Sequence, residues 1–224
     1  MRRFSFCDHS EILFDEERAS LLSAKAEGEE LLSSCLPFFA LRFRNKKAET
    51  KDIDSFAFRF LKSEGDRFYY EHPLADVALS FENKEDKVSV FISVTNKTHD
   101  VLEWIEWGSV GIFGKLKDEN GKGEILTSYN EGAVTSSFAR REASPFPYLE
   151  PSYPSQGKFS IFPNMLCAQF IAYRVGEKGL YLAMEDPERG TKHIDFCSYG
   201  ESIKLQLRAY SNLNYGEDYV SSFP

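Results

Sequence analysis

The sequence predicts an all-β fold, a large two-layer antiparallel β-sandwich, on three observations. Apolar and polar residues alternate with a period of two in nearly every strongly patterned segment. The stretches between those segments carry Asn, Asp, Gly and Lys, the residues of antiparallel connections. Hydrophobic residues make up 42 % and aromatics 15 % of the chain, with 20 Phe and 11 Tyr, too apolar a composition for disorder.

The elements follow in order. Between Asp15 and Leu32 the good helix formers Glu16, Glu17, Arg18, Ala19, Leu21 and Leu22 argue for a helix, but Gly28 followed by acidic residues reads equally well as a hairpin turn or loop. Phe39-Leu41-Phe43, Phe56-Phe58-Phe60 and Val77-Leu79-Phe81 each alternate as strands do. Val88, Val90, Ile92 and Val94 set a β-branched row against Ser89, Phe91 and Ser93. Ile203, Leu205, Leu207 and Ala209 alternate with Lys204, Gln206, Arg208 and Tyr210, and both segments predict a strand with one solvated face. Asp118 to Gly123 is a polar loop with an Asn120-Gly121 turn signal. From Arg140 to Pro163, prolines 145, 147, 151, 154 and 163 interrupt any ladder, because proline brings no backbone donor. A long stiffened loop is expected there.

At 224 residues the chain is long enough to bury a core as one domain, 1–224. The net charge of -8 offers no footprint for a phosphate backbone, so nucleic acid is excluded as a partner, and Arg2-Arg3 and Arg140-Arg141 read as solvated surface. No run approaches the roughly 18 apolar residues of a membrane span, and the N-terminus lacks the apolar core of a secretory leader. A soluble, cytoplasmic protein with no membrane partner is expected. Cys7, Cys35, Cys167 and Cys197 stand far apart without metal-ligand or redox spacing, so free, mostly buried thiols are expected and neither metal nor cofactor is assigned. Asn96-Lys97-Thr98 matches a glycosylation tripeptide of the kind that arises by chance.

No nucleophile elbow, phosphate loop or zinc helix motif occurs. Trp104 and Trp107, three apart, should point to opposite faces of a strand, and so should Glu103 and Glu106, which weakens that pair as acid and base. The Pro-rich loop interleaves Phe146, Tyr148, Tyr153, Phe159 and Phe162 with Glu150, Gln156 and Asn164, flat faces and polar groups that suit sugar rings. Such clusters also pin a loop onto its own sheet, and both readings stand. Glu185-Asp186-Pro187 is the sharpest acidic candidate, with Lys192 and His193 close behind; an Asp turn before proline is the structural alternative.

One stretch carries more. Pro154-Ser155-Gln156-Gly157, Phe162-Pro163-Asn164-Met165 and Gln169-Phe170-Ile171-Ala172-Tyr173 precede Gly179-Leu180-Tyr181-Leu182-Ala183-Met184-Glu185-Asp186-Pro187. In this order they resemble the N-terminal galactose-mutarotase-like β-sandwich domain of bacterial glycoside-hydrolase-like proteins. The resemblance implies a supersandwich, no catalytic residue in this chain, and a C-terminal catalytic barrel as partner, with the chain as the N-terminal part of a longer protein. It further implies that the Glu185-Asp186 corner faces the barrel, and that Tyr215 to Pro224 approaches it. The candidates for carbohydrate or domain contact are Tyr148, Tyr153, Phe162, Glu185, Asp186 and His193. The function expected is a non-catalytic accessory domain of a glycoside hydrolase. The alternatives are an independent carbohydrate-binding module and an aldose-epimerase-like enzyme, the last requiring a Glu and one of His72, His99 or His193 across one sheet face.

Overall fold

The computed structural model describes residues 1–113, 123–129, 132–135, 161–163, 166–199, 202–211 and 214–224. The Asn120-Gly121 loop and nearly all of the Arg140–Pro163 loop, including Tyr148 and Tyr153, lie outside the described residues. Within them the chain is an antiparallel β-sandwich of four sheets, with a single 3-10 turn at Ser55–Ala57.

The first sheet has the order β1 (Arg2–Ser5), β2 (Glu11–Asp15), β3 (Ser20–Ala26) and β4 (Glu29–Glu30). The region open to a helical reading is therefore strand. Glu27 and Gly28 turn β3 into β4 with φ of 49° and 83°, the left-handed pair that a two-residue hairpin needs. The second sheet places β8 (Arg59–Glu64), β9 (Arg67–His72), β10 (Ala75–Asn83) and β11 (Val88–Asn96) side by side, with β21 (Tyr219–Val220) on the far edge of β11.

The third and largest sheet runs β16 (Ile161–Phe162), β19 (Lys192–Tyr199), β20 (Ser202–Tyr210), β12 (Val101–Trp107), β6 (Phe39–Arg44) and β7 (Thr50–Asp54). Its branch adds β13 (Val110–Phe113) on β20 and β5 (Leu32–Ser34) on β13. The fourth sheet joins β15 (Ala133–Thr135), β14 (Gly123–Tyr129), β17 (Leu166–Val175) and β18 (Lys178–Ala183).

The second and third sheets face each other. Phe39 and Tyr70 meet across the gap with ring centroids 5.7 Å apart, and Trp107 Nε1 donates to the Val90 carbonyl at 3.0 Å. Phe14 of the first sheet closes one end, with ring centroids 5.2 Å from Phe38 and 4.8 Å from Phe81. Burying each such ring contributes about 1.5–3 kcal/mol, which is how so many short strands hold together. One apolar cluster extends from Phe4 to Phe223 and includes the inner rows Phe39-Leu41-Phe43, Val77-Leu79-Phe81 and Ile203-Leu205-Leu207-Ala209.

The Phe56-Phe58-Phe60 segment departs from expectation. Asp54 accepts the Phe56 N–H at 3.0 Å and starts the 3-10 turn, so Phe56 lies on the surface under the Arg18 guanidinium while Phe58 enters the core. Alternation cannot register such a local cap. The glycine of Gly179-Leu180-Tyr181-Leu182 has a packing cause: a Cβ there would stand 2.6 Å from the Tyr173 carbonyl oxygen across the β17–β18 ladder.

Candidate functional site

The corner between β18 and β19 gathers several of the expected residues. Asp186 is a turn anchor: its Oδ1 accepts the Glu188 N–H at 2.9 Å and its Oδ2 the Gly190 N–H at 2.8 Å. Lys192, the first residue of β19, points into the core and completes the turn. Its ammonium donates to Asp186 Oδ2 and to the Gly190 carbonyl at 2.9 Å, and stands 4.5 Å from the centre of the Phe223 ring. Burial opposes ionisation of Asp186, but the Lys192 ammonium and the two backbone donors outweigh it, and the carboxyl pKa is lowered.

Glu185 is exposed and pairs with Lys87 in the turn between β10 and β11. Phe162 is buried in the core cluster, opposite Lys192 in the ladder. His193 follows Lys192 directly and so faces the other way, away from Asp186, and is buried. Lys192 joins the acidic corner and His193 does not.

Beside the corner lies an open groove of about 490 Å³, lined among others by Phe162, Pro163, Phe170, Tyr181, Glu185 and Arg189. Tyr181 is 66 % exposed and stacks on Phe170 with centroids 5.4 Å apart at 25°. The two are diagonal neighbours on the outward face of β17 and β18, which is why the rings meet. The last residues reach the same place. Tyr219 and Val220 pair with β11, Ser221 exchanges hydrogen bonds with Ile92 at 2.9 Å in each direction, and the Pro224 carbonyl accepts the Glu185 N–H at 3.2 Å.

A second polar constellation covers the outward face of the third sheet. Register sets His193, Arg208 and Glu106 in one row across β19, β20 and β12, and Tyr210, Trp104, Arg42 and Asp52 in the next. Glu106 is fully buried. It accepts from Ser109 Oγ at 2.6 Å and Arg208 Nε at 2.7 Å, and pairs with Lys204. Burial again works against the charge, yet the two cations hold the Glu106 pKa at about 2. Both the Arg208 and Arg42 guanidinium groups lie over the Trp104 ring, at 4.4 and 5.0 Å from its centre.

Two expectations are corrected on this face. Leu102 pairs with Phe43 and Trp104 with Arg42, so Glu103 is an extra residue in a bulge. It accepts from Arg44 Nε at 3.3 Å and comes to the same face as Glu106, whereas strict alternation sent the two apart. Trp104 and Trp107 do diverge, one outward and one into the core. The polar row of β20 is only partly solvated: Tyr210 is exposed, but Gln206 is 1 % exposed. Alternation distinguishes two faces but says nothing of what covers each. The available signal was Glu106 itself, set between Trp104, Ile105 and Trp107 in a strand apolar on both sides.

The cysteines are free, but Cys7, Cys35 and Cys167 are exposed rather than buried, and only Cys197 is half-buried. Among the described residues no helix is long and apolar enough to cross a membrane.

No family model and no curated protein matches the chain. Among solved structures it is similar to the α-N-acetylgalactosaminidase NagBb from Bifidobacterium bifidum in complex with GalNAc, with a TM-score of 0.48 and 10 % identity. The match covers 96 % of this chain and 35 % of that enzyme's chain.

Proposed function

We propose that this chain is a non-catalytic accessory β-sandwich of a carbohydrate-active protein, with its contact edge at the Tyr181–Glu185 corner. The observation that carries this is the hydrogen bond from the Glu185 N–H to the Pro224 carbonyl. Residues 219–221 pair with β11 and Pro224 meets Glu185 at the corner, so a domain that followed would begin against Glu185 and the Phe170–Tyr181 stack. The galactose-mutarotase-like pattern of Gly179 to Pro187 points to the same edge.

Glu106 is poorly suited to be the base that an epimerase-like reading requires. A general base works best with a pKa near the operating pH, and a carboxylate held at about 2 by two cations is a poor proton acceptor. One observation favours a second reading, an independent carbohydrate-binding module: the exposed Tyr181 ring, backed by Phe170, offers a flat apolar face beside polar side chains.

Expressing the longest product of the reading frame and digesting it with a protease tests the proposal. A second resistant unit joined near residue 224 is expected, and a stop codon directly after Pro224 would overturn it. Saturable glycan binding by the 224-residue chain itself, lost in Tyr181→Ala, would instead favour the binding module.

A further inference from the structure

The outer edge of β18 already makes one bond of a strand pairing. The β17–β18 register sets Leu180 opposite Tyr173 and Leu182 opposite Ile171, and it continues past the strand end in the bond from the Met184 N–H to the Gln169 carbonyl at 2.9 Å. Successive residues of an antiparallel strand turn their N–H and C=O groups to opposite sides. Leu180, Leu182 and Met184 therefore bond to β17, while Gly179, Tyr181, Ala183 and Glu185 direct theirs to the outer side, where β18 ends its sheet. Of these four, Glu185 alone has an outer backbone partner among the described residues: its N–H donates to the Pro224 carbonyl at 3.2 Å. Proline has no N–H to return, so a single bond is all that an antiparallel pair can make at this position.

Open space continues along the same edge. Tyr181 to Glu185 and Pro224 line one cavity, and Gly179 to Leu182 line the next. Tyr181 and Leu182 belong to both, as do Val88 and Val90 of β11, so one groove leads from Pro224 to Gly179. Its floor is apolar: Leu180, Leu182, Val88 and Val90 pack against the core while remaining partly exposed.

We infer that the outer edge of β18 is the docking site of an extended segment, the residues that directly follow Pro224 in the longer protein, which add a strand to the fourth sheet. The inference rests on the continuation of the chain proposed above. A segment that starts opposite Glu185 and runs toward Gly179 is antiparallel to β18, and the Pro224–Glu185 pair sets its register. The second, fourth and sixth residues after Pro224 stand opposite Ala183, Tyr181 and Gly179 and exchange backbone bonds with them. The first, third and fifth stand opposite Met184, Leu182 and Leu180, share their inward face, and are apolar. Such a strand also covers an edge that would otherwise offer unpaired backbone groups to other chains.

Residue-resolved amide exchange by NMR, on the 224-residue chain and on the longest product of its reading frame, tests the inference. In the shorter chain the Leu180 and Leu182 amides should exchange slowly and those of Gly179, Tyr181 and Ala183 quickly; in the longer protein the latter three should slow at least about 10-fold. Tyr181→Pro, which removes an outward N–H and is tolerated at an edge, should undo the slowing at Gly179 and Ala183 while circular dichroism remains that of the parent. Unchanged exchange at 179, 181 and 183 in a longer protein that carries a second resistant unit would overturn the inference and leave the contact edge standing. A stop codon directly after Pro224 would overturn both. Slowing in the 224-residue chain that grows with protein concentration would assign the edge to a second copy instead, and charged residues at the first, third and fifth positions after Pro224 would refute the register. The comparison of the two parent proteins decides the matter even if Tyr181→Pro does not fold.

Discussion

The Asp186 carboxylate and the Lys192 ammonium, six positions apart in sequence, form a buried ion pair, their side chains 4 % and 1 % exposed. A pair so far from water stabilises little compared with apolar replacements, but losing one partner leaves the other charge buried and uncompensated. Asp186→Ala should therefore cost about 3–5 kcal/mol in urea unfolding at neutral pH. Lys192→Met should cost less, because Asp186 keeps the Glu188 and Gly190 N–H donors. A loss below about 1 kcal/mol for Asp186→Ala would mean that the pair is open to water in solution.

Glu106 sets the acid limb of stability. Its folded pKa of about 2 lies below the unfolded value of about 4.3, so its contribution is complete above that value and is lost as pH falls toward 2. Asp186, also lowered, acts in the same direction. The urea midpoint should be flat from about pH 7 to pH 5 and fall below about pH 4, and Glu106→Gln should lower the plateau and flatten the fall. The same depressed pKa predicts that Glu106 does not serve as a general base in sugar anomerisation. Polarimetry on pure anomers showing turnover that Glu106→Gln abolishes would contradict it.

The cysteines should separate by reactivity. Cys7, Cys35 and Cys167 are exposed, whereas burial pushes the Cys197 thiol up to about 11. A thiol-disulfide reagent near pH 8 should label three thiols quickly and one slowly, with the slow phase absent in Cys197→Ser. Reductant should leave the unfolding midpoint unchanged. Four equal rates would contradict the burial of Cys197.

Much of the framework was legible. The rows at Val88–Val94 and Ile203–Ala209 became β11 and β20, because period-two burial is imposed by the pleat whatever the tertiary partner. Phe56 departs from the alternation because a single cap from Asp54 outweighs an aromatic pattern over three residues. The Glu103 bulge was invisible because an inserted residue changes register without changing composition. At the corner, Glu185 and Asp186 were visible as acids before a proline, but their roles differ by burial alone: one meets Lys87 at the surface, the other is locked to Lys192. No spacing rule separates adjacent residues of the same charge.

Hydrogen–deuterium exchange reads the contact edge at the Glu185 corner residue by residue. The 224-residue chain is compared with the longest product of its reading frame. Added protection is expected in the longer protein at residues 161–163 and 181–189, around the groove and the Glu185 corner, with β8 and β9 unchanged. Equal exchange across 181–189 in the two proteins, or new protection confined to β8 and β9, would contradict it.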